Sequence, residues 1–169
     1  MFLADWIDRL NGALGRAVSY AIWIGMVVVV YEVVMRYAFN VPTVWAQGYA
    51  QRIFAAYFIL IGAYTLIQRG HVRIDLFLGE PSTRRRALLD IINYTVLLIW
   101  MAALVWEGWQ YFMDAWRFGE RDDGALGHPM WPVKLSLFVG VVLMALQGVA
   151  ELMRAVARLI NPNRPGWQP

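Results

Sequence analysis

Four apolar runs dominate the chain, at about Val18 to Tyr37, Trp45 to Ile67, Leu88 to Trp106 and Leu135 to Met153, and charged residues collect in the segments between them. Each run is near the roughly 20 residues a helix needs to cross about 30 Å of hydrocarbon. The pattern predicts an all-α fold, an integral membrane four-helix bundle forming a single transmembrane domain over residues 1–169, with no internal repeat and no low-complexity tract. Ahead of the first run, "MFLADWIDRLNGALGR" sets Leu3, Trp6, Ile7, Leu10 and Leu14 at helical spacing, which predicts an N-terminal helix lying along the membrane surface. Asp5 and Asp8 stand there beside Arg9 and Arg16, and the run that follows is span-length, so the expectation is a retained signal anchor.

Between the first two runs, "MRYAFNVPTVW" reads as a tight turn joining antiparallel spans. Arg36 can snorkel from the end of the first span, Pro42 lacks an N–H and disfavours helix at Val41, and Trp45 suits the membrane interface. From Ile53 to Ile67 is fifteen residues, about 22 Å of helix, which is too short to cross. The second helix must therefore begin near Trp45, and that draws Gln47, Gln51 and Arg52 into it, beside Glu32 of the first span. Charges in hydrocarbon cost about 2.5–3.5 kcal/mol each on insertion scales, so these groups are expected to face protein.

Composition sharpens the class. With 60% hydrophobic and 16% charged residues, a chain of 169 cannot hide its apolar surface in a soluble core. Orientation follows from Lys and Arg, which resist translocation. Arg9, Arg16, Arg69, Arg73, Arg84, Arg85, Arg86, Arg154, Arg158 and Arg164 fall on one side; Arg36, Arg52, Arg117, Arg121 and Lys134 fall on the other. Ten against five places both termini in the cytoplasm; in a bacterial inner membrane the first turn would then face the periplasm. The net charge of +3 reflects these arginines and implies no nucleic-acid partner.

Candidate chemistry is sparse. His71 and His128 lie in loops on opposite sides, so they cannot bracket a haem or share a metal, and zero cysteines remove disulfides and thiol chemistry. No nucleophile or phosphate-cradling motif is present, so neither a cofactor nor an enzymatic activity is expected. Glu120, Asp122 and Asp123 read as a solvated acidic loop in preference to a cation site. In "WEGWQYFMDAW", Trp106, Trp109, Met113 and Trp116 share one helix face, which fits equally an interfacial aromatic belt or a docking stripe for another membrane protein. Ala21 and Gly25, four apart, would allow close helix packing.

Three segments together carry a family resemblance. "RYAFNVPTVWAQGYAQR", then "GAYTLIQRGHVRIDLF", then "ALGHPMWPVKLSLFVG" resemble the small membrane subunit of tripartite ATP-independent periplasmic (TRAP) transporters, in order and spacing, across nearly the whole chain. The resemblance implies a non-enzymatic scaffold bound to a large membrane subunit, where sodium and substrate bind and an elevator-like domain moves. It also implies a periplasmic substrate-binding protein, a transient partner that delivers organic acids, and contact with membrane lipids. Carried onto this chain, Arg36, Asn40, Pro42, Trp45 and Arg52 would form the outer turn region, and Arg69, His71, Arg73 and Asp75 the inner loop. Acidic residues expected after the tryptophan are replaced here by Gln47 and Gly48.

Depth counting adds one pairing to this picture. Glu32 lies about five residues inside Tyr37 and Arg52 about seven inside Trp45, each roughly 8–10 Å from its helix end. The matched depths predict a buried Glu32–Arg52 pair across the two spans, with Gln51 completing its hydrogen bonds. The rivals are an i,i+4 pair of Glu32 with Arg36, and an Arg52 that faces the large partner subunit. Two other functional classes share the four-span pattern: an autonomous small multidrug-type proton antiporter using Glu32, and an anchor subunit of a membrane enzyme. The long charged connections argue against the first, and the absence of histidines in the spans argues against a haem anchor.

Overall fold

The computed structural model describes residues 2–68, 83–124 and 126–160. They form six helices: α1 (Phe2–Ser19), α2 (Ala21–Tyr37), α3 (Ala46–Leu60), α4 (Gly62–Ile67), α5 (Thr83–Phe118) and α6 (Trp131–Ile160). No strand occurs among the described residues, only an isolated antiparallel bridge between Arg121 and Pro129. Four segments are long and apolar enough to cross a membrane: Phe2–Tyr37, Ala46–Ile67, Arg84–Phe118 and Trp131–Ile160. The all-α, four-span architecture expected from the apolar runs is therefore the one observed.

Two helices outrun their apolar cores. Nothing in "EGWQYFMDAWRF" breaks a helix, so α5 continues past Trp106 until Gly119, which takes φ +60° and ends it. α6 begins at Trp131 because Pro132 is tolerated in a first turn, where its missing N–H has no intrahelical partner to lose. At 1.5 Å per residue, the 36 residues of α5 and 30 of α6 extend about 54 and 45 Å. Both exceed the hydrocarbon thickness and must project from it or tilt.

The helices stand in an open row and do not close into a ring. The order is α2, then α3 with α4, then α6, then α5; no Cα of α5 comes within 8 Å of α2, α3 or α4. α1 packs mainly over α6 and α4. α6 is central because its packed sides carry small residues. Gly140 faces Ile59 and Gly148 faces Leu97 and Leu98, while Ala150 meets Ala4 and Ile7 of α1. Ala155 clusters with Leu66 and Tyr94. Gly25 likewise admits α3 to α2, since a Cβ there would stand 2.8 Å from the Phe54 ring.

Candidate functional site

Two clusters of polar side chains, labelled outer and inner, lie at opposite ends of the helices. The outer one starts in the turn after α2, where Ala38 N–H donates to the Val34 carbonyl (2.9 Å) and Val41 N–H to the Met35 carbonyl (3.0 Å). Asn40 has φ +54°, a left-handed conformation that asparagine tolerates better than most residues. Pro42 then leads the chain back over α2. Thr43 donates its N–H to Glu32 Oε2 (3.1 Å) and its hydroxyl to the same oxygen. Glu32 Oε1 accepts from Arg36 Nε (3.0 Å) and Nη2 (2.5 Å).

The cross-span pair is therefore corrected. Glu32 is buried, yet its carboxylate is filled by Arg36 within the helix and by Thr43 from the turn, so the i,i+4 arrangement holds. Arg52 turns away from it. Its Nη1 donates to the Gly48 carbonyl (3.0 Å) and its Nη2 to Asp122, seventy positions along the chain. Gln51 is exposed and takes no part in the Glu32 cluster.

Asp122 also overturns the expectation of a solvated acidic loop. Gly119 and Gly127, both at positive φ, help bring Glu120 and Asp122 back against Met130 and His128. Asp122 Oδ1 accepts the His128 N–H (2.9 Å), and the Asp122 N–H donates to the His128 carbonyl (2.9 Å). Glu120 pairs with Lys134, which is only 4% exposed and lies 3.7 Å from the Tyr111 ring centroid. Asp123 stays exposed. Rings then join the two outer connections: Tyr31 stacks on Trp45 (5.7 Å), Trp45 meets Tyr49 (6.0 Å), and Tyr49 meets His128 (4.9 Å).

The hydrogen bond from Arg52 holds the Asp122 carboxyl below its ordinary value of 3.8, against the upward push of burial and with help from the His128 N–H. A depressed carboxylate contributes stability that is fully present above its unfolded pKa and is lost as pH falls through the folded one. Thermal unfolding should therefore lose this contribution only below about pH 3.8. In Asp122→Asn that part of the acid sensitivity should vanish. An identical acid profile for the variant and the parent would remove the pair from the account.

The inner cluster ties α1 to α6. Asn11 Nδ2 donates to Gln147 Oε1 (2.8 Å) and, more weakly, to the Leu143 carbonyl (3.3 Å), and Gln147 Nε2 donates to Asp8 Oδ1 (2.8 Å). Arg154 bonds Asp8 and Glu151, and one turn further Arg158 Nη1 donates to Asp90 Oδ2 (2.6 Å) on α5. Sequence reasoning missed this cluster. α1 buries Ala4, Ile7, Asn11, Gly12 and Gly15, while Leu3, Trp6 and Leu14 point outward. The helix forms where its spacing predicts, but mostly its small and polar face does the packing. The available signal was Gln147, a lone amide in an apolar run, which in a membrane must face protein.

The remaining candidates separate. Trp109 packs against Phe138 of α6 (5.3 Å) and Trp116 against Trp131 (5.1 Å), though both stay exposed, as does Trp106, which makes no such ring contact among the described residues. Asn40, Pro42 and Trp45 are exposed at the outer turn. Arg69, His71, Arg73 and Asp75 lie outside the described residues. Among the described residues no group of three or more His, Asp, Glu or Cys could hold a metal ion.

A model of the family described as tripartite ATP-independent periplasmic transporters, DctQ component, matches residues 25–158, from the packed Gly25 of α2 to Arg158 of the inner cluster. No curated protein gives a significant match. The matched stretch spans well over half of the chain and takes in the outer polar cluster, the α5 and α6 members of the inner one and every seam of the row from α2 to α5, so the chain belongs to the DctQ component family of tripartite ATP-independent periplasmic transporters.

Proposed function

We propose that this chain is the small scaffold subunit of its transporter, supporting a large sodium-coupled membrane subunit that imports organic acids delivered by a periplasmic binding protein. Membership in the family supports a transport role within a complex. The observation that favours a scaffold over a carrier is the state of Glu32. An antiporter needs a carboxylate free to exchange protons and cargo, and this one is closed by Arg36 and Thr43. The other described polar groups of the helices pair largely with one another and fasten helices together. The exposed outer turn and Trp106 are the partner-facing features of this reading, and both termini lie in the cytoplasm of a bacterial inner membrane.

Reconstitution tests it. Vesicles holding the chain alone should take up neither organic acids nor cationic drugs. Vesicles with the large subunit and the binding protein should show sodium-driven uptake that disappears when this chain is omitted, while the binding protein keeps its affinity. Uptake by the isolated chain that is lost in Glu32→Gln would sink the scaffold reading in favour of an antiporter. For orientation, alkaline phosphatase fused at Pro169 should be inactive and fused near Asp122 active; the reverse pattern inverts the topology.

A further inference from the structure

Charge is distributed unevenly at the inner end. The four carboxylates Asp5, Asp8, Asp90 and Glu151 all lie against Arg154 or Arg158. Arg84, Arg85 and Arg86, in the first turn of α5, have no carboxylate partner among the described residues, and that turn carries no acidic residue. Arg84 and Arg85 are exposed, and Arg86 Nε is buried without a hydrogen-bond partner. A helix N-terminus already presents the positive end of its dipole, so three cations there gain from an anion that the described part of the chain does not supply.

What lies below the arginines says which anion. At 100° per residue Arg85 points away from α6, and Leu88, Ile92, Val96 and Ile99 continue the same face at steps of three or four. All four are exposed. The strip from Leu88 to Ile99 is about 16 Å long, close to the thickness of one leaflet's hydrocarbon. A phosphate group held by Arg84 and Arg85 and an acyl chain laid along that strip are the two halves of one molecule.

From this juxtaposition we infer that the first five turns of α5 form a binding site for an anionic phospholipid, the arginines taking the headgroup and the apolar strip the acyl chain. The site lies on a different face of α5 from the buried Asp90 of the inner cluster and does not depend on the transport reading. It discriminates by charge: phosphatidylglycerol, with a net negative headgroup, binds, and zwitterionic phosphatidylcholine does not compete at equal concentration.

Native mass spectrometry of the full-length chain in detergent, titrated with each lipid, reads the site directly. Phosphatidylglycerol should be retained in preference to phosphatidylcholine. Each arginine removed should weaken retention about fivefold, so Arg84→Gln with Arg85→Gln loses about 25-fold. Arg117→Gln, at the opposite end of α5, should match the parent. Circular dichroism and thermal unfolding of the double variant establish that it is folded; if it is not, Arg85→Gln alone carries the test. Inorganic phosphate at the lipid's concentration should leave the bound lipid in place. Equal retention of the two lipids, an unaffected double variant, or displacement of the lipid by phosphate, which would mark a free-anion site, each overturns the proposal.

Discussion

Gly140→Val should lower the melting temperature of the detergent-solubilised protein by about 5–10 °C, the equivalent of roughly 2–3 kcal/mol for a chain of this size. A Cβ at residue 140 would stand 2.9 Å from the Ile59 carbonyl oxygen and 3.1 Å from its carbon. Backbone cannot rotate aside as a side chain can, so α3 and α6 must separate at a central seam of the row, between the α2–α3 pair and the α5–α6 pair. Gly108 supplies the contrast. A Cβ there would meet Phe138 at an ordinary 3.8 Å, so Gly108→Ala should be neutral or gain slightly from helix propensity. A stable Gly140→Val protein beside a destabilised Gly108→Ala protein would show that the seam does not lie where the structure puts it.

Gln147→Leu should release α1 from α6. Gln147 is 0% exposed and both ends of its amide are engaged. Leucine fills similar space but leaves Asn11 with one long bond to a carbonyl, and deprives Asp8 of one of its donors. Leaving a buried polar group unmatched costs about 1–3 kcal/mol in water-soluble proteins. Interhelical hydrogen bonds in membranes average nearer 0.6 kcal/mol, because alternative partners exist in the unfolded state. Two groups lose a partner here, and Asn11 Oδ1 is already without one, so the expected loss is about 2 kcal/mol. Asn11→Leu combined with Gln147→Leu should recover part of it, since both sides of the bond are then gone. Limited proteolysis near Arg9 and Arg16 reports the release directly. A single variant as stable and as protected as the parent would mean that α1 is held by Ala4 and Ile7 alone.

These two sites also mark where sequence reading succeeded and where it stopped. The spans were legible because twenty apolar residues have few other uses, and the first turn because Asn40 and Pro42 have narrow backbone preferences. Gly25 was picked out by its spacing from Ala21 and does admit Phe54. The partner of Arg52 was not legible. Counting residues gives depth in the membrane but not rotation about the helix axis, and two charges at one level meet only when both agree. It also ignored Thr43, eleven residues after Glu32, which the turn returns to the carboxylate. The packing face of α1 was not read from the sequence, for a different reason. An apolar stripe turns toward protein when the surroundings are water, whereas beside lipid the small and polar stripe does so, and Asp8, Asn11 and Gly15 were that stripe. The reach of α5 past Trp106 escaped because hydropathy marks what is apolar and says little about where a helix ends.

The clasp between α1 and α6 sets a chronology for the molecule's making. α2 with α3, and α5 with α6, are neighbours in sequence and can pair soon after they leave the ribosome, since little chain must be looped to bring them together. Asp8 and Asn11, by contrast, meet Gln147, 139 and 136 positions later, in the last of the described helices. Throughout synthesis the first helix therefore waits with its polar face uncovered. The bundle is closed when α6 returns to α1, and any truncation upstream of Gln147 leaves Asp8 and Asn11 without that partner.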